Sequence, residues 1–434
     1  MNFRQKLLFL AGQFGVMLLV RFFLQWITKF AATAEPTAGP TPGEALFSAA
    51  LVGTALFAFR IFDGATDPVA GLISDGWVRK GRERRTLLWY AFLIPPIGLA
   101  LIFMPSFGMG EAVRWTFLLA GMFIFFVGYT FYAIPYWSLC SDYAQGDADQ
   151  NRVLSSLLGA GIMLATGVGF VLTPFMVESW GYLNSALIIA VPASICMILP
   201  YFARPEGELA TSASTEPKPL FASLKMAFSH RRFLAVMIIF SGSQMSLTVM
   251  TAAAPFIAVE LLGGGLGDVA LLMGPLLVVS IPSFFLAPKL SRMWGWEMAI
   301  VIASVALGIV YATVGVLGDA WLGTPMTTAM VIFGLAGPMV AILLGLEGEA
   351  ITACADERGG DAVSIYFGVY NFLVKAMNGL AIMLAGILAE RVAMTEGDLI
   401  GVAAVRGMGF VAAGCLFVGV LLYVFARPRK DARA

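Results

Sequence analysis

Residues 114–140 read RWTFLLAGMFIFFVGYTFYAIPYWSLC, and beyond Arg114 the run holds no charged side chain. About 20 apolar residues in a helix, rising 1.5 Å each, cross the hydrocarbon layer of a bilayer. This run therefore reads as a membrane span with length to spare.

Working outward, eleven comparable stretches flank it, near 5–30, 45–74, 86–106, 152–177, 181–203, 232–259, 268–289, 297–319, 323–352, 362–392 and 399–425. The chain has 434 residues, 59% hydrophobic and 12% charged. Water-facing surfaces need roughly a quarter of charged residues, so no soluble domain fits between the spans. The first stretch is too long for a secretory signal and lacks a small-residue cleavage site, which makes it a retained span.

Between the sixth and seventh stretches, residues 204–229 carry Pro205, Glu206, Gly207, Thr211, Ser212, Ser214, Thr215 and Pro217. Such turn-forming, solvated residues do not span lipid. The expected organisation is an all-α membrane protein of twelve helices: a six-helix bundle over 1–203, a cytoplasmic linker over 204–229, and a second six-helix bundle over 230–434.

Most of the 27 lysines and arginines, including Arg79, Lys80, Arg82, Arg84, Arg85, Arg231, Arg232, Arg427, Arg429 and Lys430, fall on the side shared by both termini. Basic loops resist translocation, so both termini are expected in the cytoplasm and the chain in the cell inner membrane. Trp26, Trp115, Trp180 and Trp321 fall at outer helix ends and Trp77, Trp89, Trp294 and Trp296 at inner ends, reading as an interfacial anchoring belt. The single His230 and the four cysteines lie far apart, so neither a metal cluster nor a disulfide framework is expected.

The second stretch contains Arg60-Ile61-Phe62-Asp63-Gly64-Ala65-Thr66-Asp67-Pro68, with two carboxylates on one helix face at membrane depth. An ionisable group there costs at least about 2.5–3.5 kcal/mol unless a polar cavity or a cation receives it. Pro68 removes a helix N–H and frees the carbonyl of Gly64. Asp63 and Asp67 thus form a candidate cation site, with sodium as the candidate metal and proton binding equally admissible. The alternative is that Arg60 pairs with Asp63 and the acids only hold helices together.

Further candidates follow the same logic. Asp75 with the basic loop containing Arg82 and Arg85 reads as a charge lock, with Arg60 as a further gating residue. Tyr132, Tyr136 and Trp137 beside Pro135 offer flat amphipathic rings for stacking on a sugar-like solute, or simply fill space. Asn371, Lys375 and Asn378 form a polar stripe on the eleventh stretch, and Lys375 wants a partner such as Asp63 or Asp67. Gln244 on the seventh stretch, and Gln13 and Arg21 on the first, supply hydrogen-bonding groups for the solute or between helices. Glu347, near the inner end of the tenth stretch, reads as part of a second gate.

Three strings, RIFDGATDPVAGLISD, YTFYAIPYWSL and YFGVYNFLVKAMNGLA, resemble the second-, fourth- and eleventh-helix signatures of the glycoside-pentoside-hexuronide:cation symporters, the melibiose permease-like branch of the major facilitator superfamily. The resemblance implies twelve helices in two pseudo-symmetric bundles. It implies cation-binding roles for Asp63 and Asp67, a place near the sugar for Trp137, and the helix-11 lysine role for Lys375. The sequence departs from that pattern on the first helix, where Val16 and Met17 follow Phe14-Gly15 in place of an acid. It departs again at Ala133, where the fourth-helix acid is replaced, and near Gly159 or Ala160, where an arginine is replaced. The family also resembles vertebrate lysophospholipid carriers, so an amphipathic or lysolipid-like solute stays open beside a glycoside. A non-transporting sensor on the same scaffold stays open too.

The sequence carries no nucleophile elbow, metal pair, phosphate loop or dinucleotide fingerprint, which argues against an enzyme. The expected partners are a small-molecule solute, a monovalent cation and the lipid bilayer. No organic cofactor and no nucleic acid are expected, and the chain is expected to act as a monomer.

Overall fold

A computed structural model describes residues 1–32, 45–145, 147–206, 225–317, 323–357, 363–393 and 398–427. Thirteen α-helices carry nearly all of them: α1 (Phe3–Ala32), α2 (Ala49–Arg79), α3 (Thr86–Ala91), α4 (Ile94–Ile102), α5 (Glu111–Ala144), α6 (Ala148–Ile198), α7 (Arg231–Phe256), α8 (Val269–Ser283), α9 (Leu286–Trp294), α10 (Trp296–Thr313), α11 (Pro325–Asp356), α12 (Val363–Ala393) and α13 (Asp398–Ala426).

Among the described residues ten helical segments are long and apolar enough to cross a membrane. One of them, the 51-residue segment Val153–Ala203, would rise about 75 Å as a single rod, more than twice the hydrocarbon thickness. It breaks at Gly181, whose φ of 76° and ψ of 175° lie where only glycine sits without strain, and so supplies two passes. The shorter apolar segment Thr86–Ile102 supplies another, and the twelve expected spans are accounted for. The third expected span is divided into α3 and α4, with Pro95 and Pro96 in the first turn of α4, where a missing N–H costs no helical bond.

The chain forms two compact units: residues 1–32, 45–47 and 58–206 in the first, and 48–57 and 225–427 in the second. In the first unit α1 packs chiefly on α6, and α4 on α5. The α4–α5 contact is close because Gly98 sits there: a Cβ on it would lie 2.4 Å from the backbone nitrogen of Phe125. In the second unit α7 packs on α13 and α12, and α11 on α8 and α10. Most of the expected linker, residues 207–224, lies outside the described residues, as does Trp321.

The anchoring belt needs one correction. Trp180, Trp89 and Trp294 are exposed, as belt residues are, but Trp26 is wholly buried and donates from Nε1 to Thr173 Oγ1 at 2.9 Å. It ties α1 to α6, because its position on α1 faces the neighbouring helix and not the lipid.

Candidate functional site

In the first unit a polar cluster is built by α1, α2 and α5. Asp63 has no exposed surface; its Oδ1 accepts from Thr130 Oγ1 at 2.6 Å, and its Oδ2 lies 3.5 Å from Arg60 Nη1. Arg60 is itself 5% exposed, with its guanidinium 5.3 Å over the ring of Phe126. Such a pairing lowers the cost of two charges at membrane depth, since each stands beside an opposite charge, a hydroxyl or a ring face. Asp67, one turn on, is partly buried, and the phenol of Tyr129 stands within electrostatic range of Asp63, Arg60, Asp67 and Arg21. Pro68 follows Asp67 directly, inside the same helix.

The next turns of α5 carry the aromatics. Trp137 donates from Nε1 to Oε1 of Gln13 at 2.9 Å, and its ring meets that of Tyr129 edge-on at 6.4 Å. Of the two parts open to them, Tyr132 and Tyr136 take the packing one. Both are fully buried and stack on each other at 5.6 Å. Their hydroxyls are spent on main-chain carbonyls, Tyr132 on Met197 at 2.7 Å and Tyr136 on Phe9 at 2.6 Å. A phenol engaged in that way has no hydrogen left to offer a solute, so these two rings join α5 to α1 and α6.

Arg60 stands twelve residues into α2 beside Asp63, and not at a helix end where a gate would close. The partner of Asp75 is Arg84, neither Arg82 nor Arg85. Arg84, 4% exposed, reaches Asp75 Oδ1 at 2.8 Å from Nη2 and Asp142 Oδ2 at 3.6 Å from Nε, joining the end of α2 to the end of α5. Arg82 instead stacks 4.3 Å over Trp77. Arg85 pairs with Glu83, donates to the Tyr201 carbonyl at 2.8 Å and covers the Tyr201 ring. Sequence reasoning held Arg84 only as one of several arginines in the basic loop and passed over Thr130; Thr130 lies seven residues before Trp137, hence on the same helical face, and that was its one signal.

In the second unit Gln244 Nε2 donates to Glu347 Oε2 at 3.0 Å, and Thr248 Oγ1 donates to Asn378 Oδ1 at 2.9 Å, so one face of α7 meets α11 and α12 through polar pairs. Glu347, expected at a gate, is thus a neighbour of Gln244 within the span. Lys375 is 8% exposed and Asn371 is exposed. At the same unit's chain entry His230 bonds the Tyr366 hydroxyl at 2.8 Å and Glu357 at 3.1 Å, while Arg232 holds Glu297 at 2.6 Å and also pairs with Glu357.

Nothing in either cluster resembles a nucleophile with its base. What these groups do offer is charge and hydrogen bonding inside apolar helices, the equipment for receiving a polar solute or an ion.

No curated protein matches the chain. The sequence profile described as MFS/sugar transport protein matches residues 43–427. Among solved structures, the crystal structure of the nucleoside transporter NupG has a TM-score of 0.62 at 14% identity, covering 98% of this chain and 99% of its own. A bacterial homolog to the human lysosomal transporter Spinster, inward-facing and unoccupied, has a TM-score of 0.69 at 14% identity, covering 98% of this chain and 97% of its own. At such identities the structures speak for the fold, while the profile, spanning most of the chain, speaks for descent. The chain belongs to the MFS/sugar transport protein family of the major facilitator superfamily, and is a membrane transporter and not an enzyme.

Proposed function

We propose that the protein is a cation-coupled symporter of the melibiose permease-like branch, moving a glycoside or related sugar-like solute across the cell inner membrane, with both termini cytoplasmic. The observation that carries the reading is Asp63: a carboxylate with no exposed surface, in the middle of a span, accepting a hydroxyl hydrogen from Thr130 and standing beside Arg60. A membrane-embedded carboxylate that served packing alone would be replaced by an apolar residue without loss, and such groups elsewhere mark ion pathways.

In this reading a sodium ion or proton is received between Asp63 and Asp67, with the carbonyl that Pro68 leaves unbonded as a third oxygen. Occupancy favours the conformation in which the solute is held near Trp137 and Gln13, so solute and cation each raise the affinity for the other. Asp75 and Arg84 close one face.

The test is the melting temperature of the purified protein against a panel of glycosides, pentosides, hexuronides and lysolipids, each with and without sodium and at two pH values. A glycoside that stabilises more when sodium or acid is added, with the increment gone in Asp63→Asn, supports the proposal. Cation-independent stabilisation by lysolipids alone would overturn it.

A further inference from the structure

One carboxylate of the second unit belongs neither to the proposed cation pair nor to the ion pairs at the helix ends. Glu347 lies seven residues, about 10 Å of helix rise, before Cys354, where the span of α11 ends. Its facing neighbours are neutral. From α7 Gln244 donates to its Oε2 at 3.0 Å, and from α12 the buried hydroxyl of Tyr370, 1% exposed, stands beside the carboxylate.

Several charged groups of the surrounding elements are engaged elsewhere, and Lys289 and Arg292 of α9 are exposed. Arg232 of α7 is taken up by Glu297 of α10 and by Glu357 beyond α11; Glu349 accepts from Ser291 of α9 at 2.6 Å; Lys375 of α12 has interactions of its own. Among the described residues no lysine, arginine or histidine forms an ion pair with Glu347. A carboxylate at that depth is costly, and neutral neighbours offset less of the cost than a cation would. A proton removes that charge. The neutral acid has an O–H to give to the Tyr370 oxygen, while Gln244 keeps its donation to Oε2.

We propose that Glu347 is a proton-binding site of the transport cycle, separate from Asp63 and Asp67. Its carboxylate takes a proton from water on one side and becomes the neutral acid, bonded between Gln244 and Tyr370. The same O–H then breaks to return the proton to water on the other side. No other bond changes, and the net result is one proton moved. The inference stands whether or not Asp63 and Asp67 bind a cation.

The test is infrared difference spectroscopy of the protein in lipid vesicles, titrated from acid to alkaline pH without added solute. A protonated-carboxyl C=O band that titrates in wild type and in Asp63→Asn/Asp67→Asn, and is missing from Glu347→Gln, is the expected result. In Gln244→Leu, which leaves the carboxyl in place, the ionised form loses a donor and the ratio of protonated to ionised carboxyl at a fixed pH should rise about tenfold. The same band persisting at full amplitude in Glu347→Gln, no titrating band in wild type, or an unmoved titration in Gln244→Leu would overturn the proposal.

Discussion

Replacing Arg84 by methionine keeps most of the apolar stem and removes the guanidinium that joins Asp75 to Asp142. The two partners are not equally buried: the Asp142 side chain is 2% exposed and that of Asp75 is 22% exposed. Removing one partner of a buried pair strands the other charge, at a cost of about 3–5 kcal/mol, and the more exposed contact with Asp75 adds about 0–1 kcal/mol. Arg84→Met should therefore destabilise the first unit by about 3–5 kcal/mol. The assay is unfolding in mixed detergent micelles, run as a double-mutant cycle with Asp142→Asn. Because the asparagine removes the stranded charge, the double variant should lie at least about 1 kcal/mol above the sum of the two single losses. An Arg84→Met protein within about 1 kcal/mol of wild type, or losses that simply add, would refute the claim that this triad holds α2 to α5.

Other predictions follow from the same geometry. Thr130→Val removes the 2.6 Å hydrogen bond to Asp63, a bond to a charged group worth about 1.5–3 kcal/mol, so the sodium or acid concentration that half-stabilises the protein should change by tenfold or more; an unchanged cation titration counts against the site. Trp137→Phe leaves the amide oxygen of Gln13, 1% exposed, without its donor, and should lower stability by about 1–3 kcal/mol, whereas Gln13→Leu in the same background should recover part of it. Gly98→Leu drives a side chain into the Phe125 backbone and should cost about 1–3 kcal/mol or more, read as loss of monodisperse protein after extraction. Burial pulls the Glu357 carboxyl up, but the hydrogen bond and charge of Arg232, with His230, outweigh it and leave the group below the ordinary glutamate value. A lowered carboxyl contributes stability that is present at neutral pH and lost as pH falls through its folded-state value, so wild type should show an acid-side loss that Glu357→Gln lacks; because Glu357 is largely exposed the effect should be small.

The spans were legible because lipid demands long apolar runs, and even the break at Gly181 fell at the expected start of the sixth stretch. What composition could not give was azimuth. Trp26 sits near a helix end, as a belt residue does, yet its direction around α1 decides that it meets Thr173 and not lipid. The same holds for the basic loop: Arg82, Arg84 and Arg85 are within four residues, and only the path of the backbone through Gly81, at φ 73°, decides which one turns inward to Asp142. Asp63 announced itself by cost, since a charge within a span needs a reason. Thr130 showed only its place on the face of Trp137, because a threonine in a span is cheap. Glu347 was visible as a charge but was assigned by its nearness to the loop, and its partner on α7 is a contact of high sequence separation that no spacing rule reaches.

The tyrosines of α5 have a consequence for how motion should be measured. Tyr136 donates to the Phe9 carbonyl, Tyr132 to that of Met197 at the end of α6 and Tyr143 to that of Pro200 just beyond it. Three phenols thus rivet one stretch of α5 to both α1 and the end of α6. Spin labels placed on these three helices near residues 9, 143 and 200 should keep constant mutual separations whatever ion or solute is present. They can serve as the fixed triangle against which displacements of every other helix are surveyed.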